Sequence, residues 1–228
     1  MPPDWLTVLA WVSLATAFFC AAGIACDIFL GGHRQPMGVM EAVWPLTALY
    51  AGLAGVLAYR AWGRPKSREG SAARGEEPEP PFWASVVVGV SHCGAGCTLG
   101  DVIAEFVIFG LGITIASVAL IPEYIGDYVA AVSFGIVFQY LAIVPMRGLG
   151  FKKGVVVAAK ADILSLTGFE VGLFGWMALM TLVLFPEPRL GPSSPVYWFL
   201  MQIGMVIGFA TAYPVNAWLI RKGVKEAM

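Results

Sequence analysis

Ser91-His92-Cys93-Gly94-Ala95-Gly96-Cys97-Thr98-Leu99-Gly100-Asp101, continuing to Glu105, sets an imidazole, two thiols and two carboxylates in a run that otherwise reads as membrane-spanning helix. Cys93, Cys97, Asp101 and Glu105 follow one another at intervals of four. On a helix that spacing places all four on one slowly drifting stripe. An ionisable group at membrane depth costs on the order of 2.5–3.5 kcal/mol on insertion scales, so it faces a bundle interior, a cavity or a partner. The stripe therefore predicts a helix that is wrapped by others.

The rest of the chain supplies them. Its 228 residues are 58% hydrophobic and 13% charged, with a mean hydropathy of +0.77. Soluble domains are nearer 45–50% apolar and about 25% charged, and several runs exceed the roughly 20 residues that cross a bilayer. The expectation is an all-α polytopic membrane protein with about six spans, since the short alternating strands of a barrel are missing from the pattern. No basic region precedes the first run and no small-residue cleavage site follows it, so an uncleaved helix is expected there. A net charge of −1 gives no sign of a nucleic-acid partner. The partner it does predict is the lipid bilayer.

Six spans are expected, at about Trp5–Phe29, Met40–Ala61, Phe82–Leu120, Tyr128–Val144, Lys153–Phe185 and Val196–Ile220. They group as an N-terminal helix pair (1–61), a flexible cytoplasmic linker (62–81) rich in Gly, Ser, Pro and charge, and a four-helix core (82–228). The third and fifth are long enough to kink or break. Gly94, Gly96 and Gly100 mark the expected break in the third, with a short re-entrant piece before Gly94. Close helix contact is the plainer role for the same glycines. Eleven Lys and Arg fall on the face of the linker and C-terminus, against Arg34 and Arg189 on the other. By the positive-inside rule both termini are then cytoplasmic, in an inner membrane.

Counting back from the outer ends sets depth. Glu105 and Glu170 each lie 15 residues before those ends, about 23 Å down; Cys97 and Asp162 share a deeper level. Lys160 would snorkel to the interface or pair with Asp162 or Asp101, and Asn216 approaches the same inner level on the last span. The candidate metal ligands are His92, Cys93, Cys97, Asp101 and Glu105, with Lys160, Asp162, Glu170 and Asn216 as a polar interior or proton path. No catalytic set is assigned. Met37 and Met40, Met177 and Met180, and Met201 and Met205 form pairs at helical spacing near the expected outer ends. They predict a soft-metal entrance, although methionine also fills apolar cores. Thioether and thiolate favour copper, and Cys, His and carboxylate together also suit zinc.

Three motifs add a resemblance. The stretch from Ser91 to Asp101, the run Lys160-Ala161-Asp162-Ile163-Leu164-Ser165-Leu166-Thr167-Gly168-Phe169-Glu170, and Tyr213-Pro214-Val215-Asn216-Ala217-Trp218-Leu219-Ile220 resemble an uncharacterised bacterial membrane family, domain of unknown function 4396. The similarity is clearest over residues 80–228, and Met40-Glu41-Ala42-Val43-Trp44-Pro45 extends it. It implies the fold and carries no activity.

The function expected from the residues is transport of a soft transition-metal ion, copper favoured, with a metallochaperone or a second copy of the chain as fitting partners. A transmembrane thiol–disulfide relay is the alternative, disfavoured by the lack of a C-x-x-C. A carboxylate–His metalloenzyme is a third reading. A scaffold subunit whose polar interior only fixes helix pairing is the fourth.

Overall fold

The computed structural model describes residues 2–67, 80–115, 120–148 and 150–226. Five helices in it are long and apolar enough to cross a membrane: α1 (Asp4–Phe29), α4 (Phe82–Leu111), α5 (Leu120–Arg147), α6 (Phe151–Leu179, continued by a π turn at Met180–Leu184) and α7 (Pro195–Arg221). The expected second span is instead two short helices, α2 (Met40–Ala51) and α3 (Leu53–Ala58), with a π turn at Tyr59–Gly63.

α2 and α3 form a hairpin that enters and leaves on one face. Gly52 at its tip has φ 54° and ψ −126°, a conformation that only glycine adopts without strain. The chain then folds back. A Cβ on Gly55 would lie 2.9 Å from Ala48 Cα, and one on Gly63 would strike the Trp44 ring, while the Trp44 and Tyr59 rings meet edge to face. Both feet stand at the end of α1: Met40 at the incoming foot shares a core with Ile24 and Ile28, and at the outgoing foot Arg64 Nε is 3.3 Å from Asp27 Oδ2 and 3.2 Å from His33 Nε2, while the Tyr59 hydroxyl donates to Asp27 at 2.7 Å. Non-helical backbone at membrane depth must find partners inside the protein. Here Gln202 Nε2 donates to the Leu49 carbonyl at 2.6 Å, and Ser13 donates to Gln202 Oε1 at 2.8 Å.

This hairpin changes the topology. The start of α1 is at the face where α7 begins, because Ser13 donates to Gln202 Oε1 early in α7 and Trp11 and Trp198 line one cavity. The other end of α1 places Ala21, Ile24 and Ile28 in one core with Met40, Trp44 and Tyr59 of the hairpin. The two termini therefore lie at opposite ends of the bundle, and the expectation that they share a face does not hold. It counted residues 40–61 as a crossing because length and hydropathy are the same for a span and for a buried hairpin.

The third span is corrected as well. α4 runs without interruption through Gly94, Gly96 and Gly100, and stops at Gly112 with φ 63°, a left-handed cap. Its glycines serve close packing. A Cβ at Gly96 would lie 3.0 Å from Gly135 Cα, and one at Gly100 would lie 2.5 Å from Ala131 N. Backbones that approach this closely gain dispersion contact along the whole seam. The re-entrant element exists, but in place of the second span. In the fifth span the irregularity is the π turn at its distal end.

α4 is the most buried of the five spans, held by α5 on its glycine seam, by α2 through Thr47, which donates to the Ser91 carbonyl at 3.5 Å, and by α6 and α7. Those two pack through Gly172 and Gly208, where an added Cβ would meet Thr211 and the Phe169 carbonyl. α5 begins at Leu120, eight residues before the expected start, since Pro122 falls in its first turn, where a missing N–H costs little. Asp127 is thereby in the helix and buried, not in a connecting turn. Of the linker, residues 68–79 lie outside the described residues.

Candidate functional site

The stripe on α4 faces inward along its whole length. His92, Cys93, Cys97, Asp101 and Glu105 are all buried, at no more than 1% exposure, and from Cys93 to Glu105 the helix rises about 18 Å. Two clusters form along it.

Near the face that carries the linker feet and the C-terminus, Cys93 donates to Asp162 Oδ1 at 2.9 Å and lies 3.0 Å from Ser165 Oγ. Asn216 Nδ2 donates to the same Ser165 oxygen at 2.6 Å and to the Ala212 carbonyl at 2.9 Å. The cation here comes from the tail. Lys225 Nζ is 2.9 Å from Asp162 Oδ1 and 2.6 Å from Cys93 Sγ, with both members of the ion pair wholly shielded. Burial alone would lower the affinity of that amine for its proton; Asp162 and Cys93 more than offset this and hold Lys225 above its ordinary range. Lys160, for which the sequence left open snorkelling to the interface or pairing with Asp162 or Asp101, is exposed on α6. Lys225 reads in sequence as a tail charge, and no local pattern shows that the chain turns back at Gly223, where φ is 67°.

Toward the other face Cys97 sits against Glu170 and within electrostatic reach of Asp101. Glu105 sits against Tyr197 and Asp127. The expected levels, Cys97 with Asp162 and Glu105 with Glu170, are off by one to two turns. The count assumed that the third span reached Leu120, and α4 ends at Leu111. Asp127 is the site residue that sequence reasoning missed. It is buried and completes a group of four acids with Asp101, Glu105 and Glu170. Among the described residues, both oxygens of Asp101, Asp127 and Glu170 and Glu105 Oε1 lack a hydrogen-bond partner. Two facing carboxylates such as Glu105 and Asp127 can be joined only by a proton between them. At the distal rim Arg189 Nη2 pairs with Glu123 at 3.2 Å.

His92 stands apart from both networks. Its two ring nitrogens are buried without a partner among the described residues, and its ring meets Phe138 edge to face. Among the described residues no three His, Cys, Asp or Glu side chains are gathered so as to hold a metal. The six methionines do not share an entrance. Met40 packs with Trp44 at the linker face, with Met37 beside it. Met177, Met180, Met201 and Met205 belong to the main core, where Met205 Sδ accepts a weak bond from Thr98 at 3.8 Å. Cys20 and Cys26 are on α1, free and outside both clusters.

No curated protein and no solved structure matches the chain. A family model does, over residues 82–225, from the first residue of α4 to Lys225. The matched region thus contains every member of the two clusters, while α1 and the hairpin fall outside it. The chain belongs to the family described as Domain of unknown function (DUF4396).

Proposed function

We propose that this protein moves a soft transition-metal cation, copper before zinc, across the inner membrane, and that its buried acids exchange protons against that cation. One observation supports the reading. Asp101, Glu105, Asp127 and Glu170 are gathered in the bundle interior, and the ion pairs among the described residues give none of them a cation. Four carboxyls in a low-dielectric interior are tolerated only when protons or a passing cation offset their charge. Cys97 and Cys93 continue this column toward the linker face and supply the soft donors. The metal is cargo in this reading, not a resident cofactor.

Orientation follows from the same topology. Arg34, Arg64, Lys152, Lys153, Arg221 and Lys222 are at the ends of elements on the face of the C-terminus, and Arg189 is on the other. The hairpin moves Arg34 to the majority side, which strengthens the positive-inside bias. The C-terminus is then cytoplasmic and the N-terminus outside.

The test uses purified protein in liposomes that hold a pH-sensitive dye, with Cu(I) supplied anaerobically and metal uptake read by elemental mass spectrometry. Uptake with opposite proton movement is expected, and its loss in Cys97→Ser. Absence of both metal uptake and proton movement overturns the reading and returns the column to a scaffold role. A mixed disulfide trapped at Cys93 or Cys97 in the absence of metal uptake would point to thiol exchange.

A further inference from the structure

A groove of about 520 Å³ runs between α1 and the outgoing arm of the hairpin. Phe19, Ile24, Leu53 and Val56 line its walls, and Arg60 and Arg64 stand with Asp27 at its mouth. Its ends are marked by Thr16 and Asp27 on α1 and by Leu53 and Arg64 on the hairpin, and each interval corresponds to about 16 Å of helix. One leaflet contributes about 15 Å of hydrocarbon, half of a bilayer core of roughly 30 Å. The groove therefore opens at the face of the C-terminus and reaches the depth of one acyl chain. Gly23 forms part of its wall, and a Cβ there would meet nothing within 4 Å, so the space beside this glycine is open.

The mouth is basic. Asp27 already accepts from the Tyr59 hydroxyl and lies against Arg64 and His33. Both Arg64 contacts use Nε, which leaves the terminal nitrogens of that guanidinium to another acceptor. Arg60 is exposed and takes part in no ion pair among the described residues. Two guanidinium groups four positions apart share one side of their turn, and against one carboxylate they leave a positive mouth over an apolar slot. An anionic head on an apolar tail complements both parts, and a planar guanidinium suits a phosphate. A second copy of the chain fits less well. Its Asp27 and Glu41 would have to leave Arg64 and Arg34 to serve these arginines, whereas a lipid phosphate breaks no existing pair.

We propose that this groove binds one anionic phospholipid of the leaflet on that face, with its phosphate between Arg60 and Arg64 and an acyl chain along Phe19, Leu53 and Val56. The lipid fills the wedge between α1 and the hairpin and fastens the two together. Only the name of the leaflet, cytoplasmic, comes from the orientation given above; the site stands whether or not the protein transports an ion.

The test uses full-length protein, delipidated in detergent and titrated with phosphatidylglycerol or with phosphatidylcholine of the same acyl chains, bound lipid being counted by native mass spectrometry. One phosphatidylglycerol per chain is expected, held about tenfold or more tighter than phosphatidylcholine. Arg60→Gln and Arg64→Gln should each weaken phosphatidylglycerol about fivefold and leave phosphatidylcholine unchanged. Gly23→Phe, which fills the slot, should weaken phosphatidylglycerol about tenfold or more. Equal binding of the two lipids, or wild-type affinity for phosphatidylglycerol in Arg60→Gln or in Gly23→Phe, overturns the proposal. Arg64→Gln also cuts the tie to Asp27; should it not fold, Arg60→Gln decides, since that side chain holds no ion pair. Release of the bound lipid by inorganic phosphate alone would give the arginines to a free anion and overturn the lipid assignment. A dimer that dissociates in Gly23→Phe while lipid binding is unchanged would give the groove to a second copy.

Discussion

Lys225 Nζ lies 2.9 Å from Asp162 Oδ1, and neither side chain is reached by solvent. Sixty-three positions separate the two residues, and their pairing ties the tail to α6 across the mouth of the polar column. Breaking a buried pair by removing one partner strands the other charge, at a cost of about 3–5 kcal/mol, whereas replacing both with neutral groups is often harmless. Asp162→Asn and Lys225→Met should each lower the thermal midpoint in detergent, and the double variant should recover most of the loss. Equal, additive losses would show that the pair carries no coupling.

The same pair fixes a pH dependence. The folded protein holds Lys225 above its ordinary value of 10.5, so its contribution is complete below that value and disappears as pH rises through the higher folded one. Between about pH 6 and 9 the midpoint of the wild type should therefore show no step attributable to this lysine. A difference between wild type and Lys225→Met that shrinks across that interval would contradict the assignment.

Asp127 offers a separation of function from stability. It is a buried acid without a cationic partner, so Asp127→Asn removes a group that can carry a proton and leaves the volume alone. The variant should be as stable as wild type or more so, with proton movement in liposomes reduced about tenfold or more. Normal proton movement would remove Asp127 from the path.

The glycine seam gives a steric test. An added Cβ at Gly100 would meet Ala131 N at 2.5 Å and Ala130 C at 2.7 Å, while one at Gly110 would meet nothing within 4 Å. Gly100→Ala must push α4 from α5 and should cost about 1–3 kcal/mol; Gly110→Ala should be neutral or gain roughly 0.5–1 kcal/mol from helix propensity. Thermal melts of the two variants side by side check this, and equal midpoints would disprove the close approach.

The hairpin predicts where labels react. Cysteines introduced at Gly38 and Lys66 should both react with an impermeant thiol reagent from the side of the C-terminus, and one at Pro3 only from the other. Reaction of positions 38 and 66 from opposite sides would restore a full span. Gln202→Leu leaves the Leu49 carbonyl unpaired at the tip, which costs about 1–3 kcal/mol. Amide exchange over residues 40–63 should rise in that variant before the rest of the bundle loosens.

Much of this protein is set by its sequence alone. The ends of α1, of α7 and of α6 with its π turn are legible within a residue or two, because an apolar run bounded by Pro, Gly and charge has few alternatives in a bilayer. The inward stripe from Cys93 to Glu105 is legible for the same reason: helical periodicity is local, and polar groups on one face must avoid lipid. Tertiary structure alone decided the rest. Residues 40–63 have the length and hydropathy of a span, and only packing on α1 and α4, with Gln202 supplying the bond that the tip lacks, makes them a hairpin. Offset between neighbouring helices depends on where each one stops, so the meeting of Cys93 with Asp162 and of Cys97 with Glu170 could not be counted from the ends. Asp127 and Lys225 enter the interior through the start of one helix and the reversal beyond another. Such contacts between residues far apart in the chain leave no periodic mark in it.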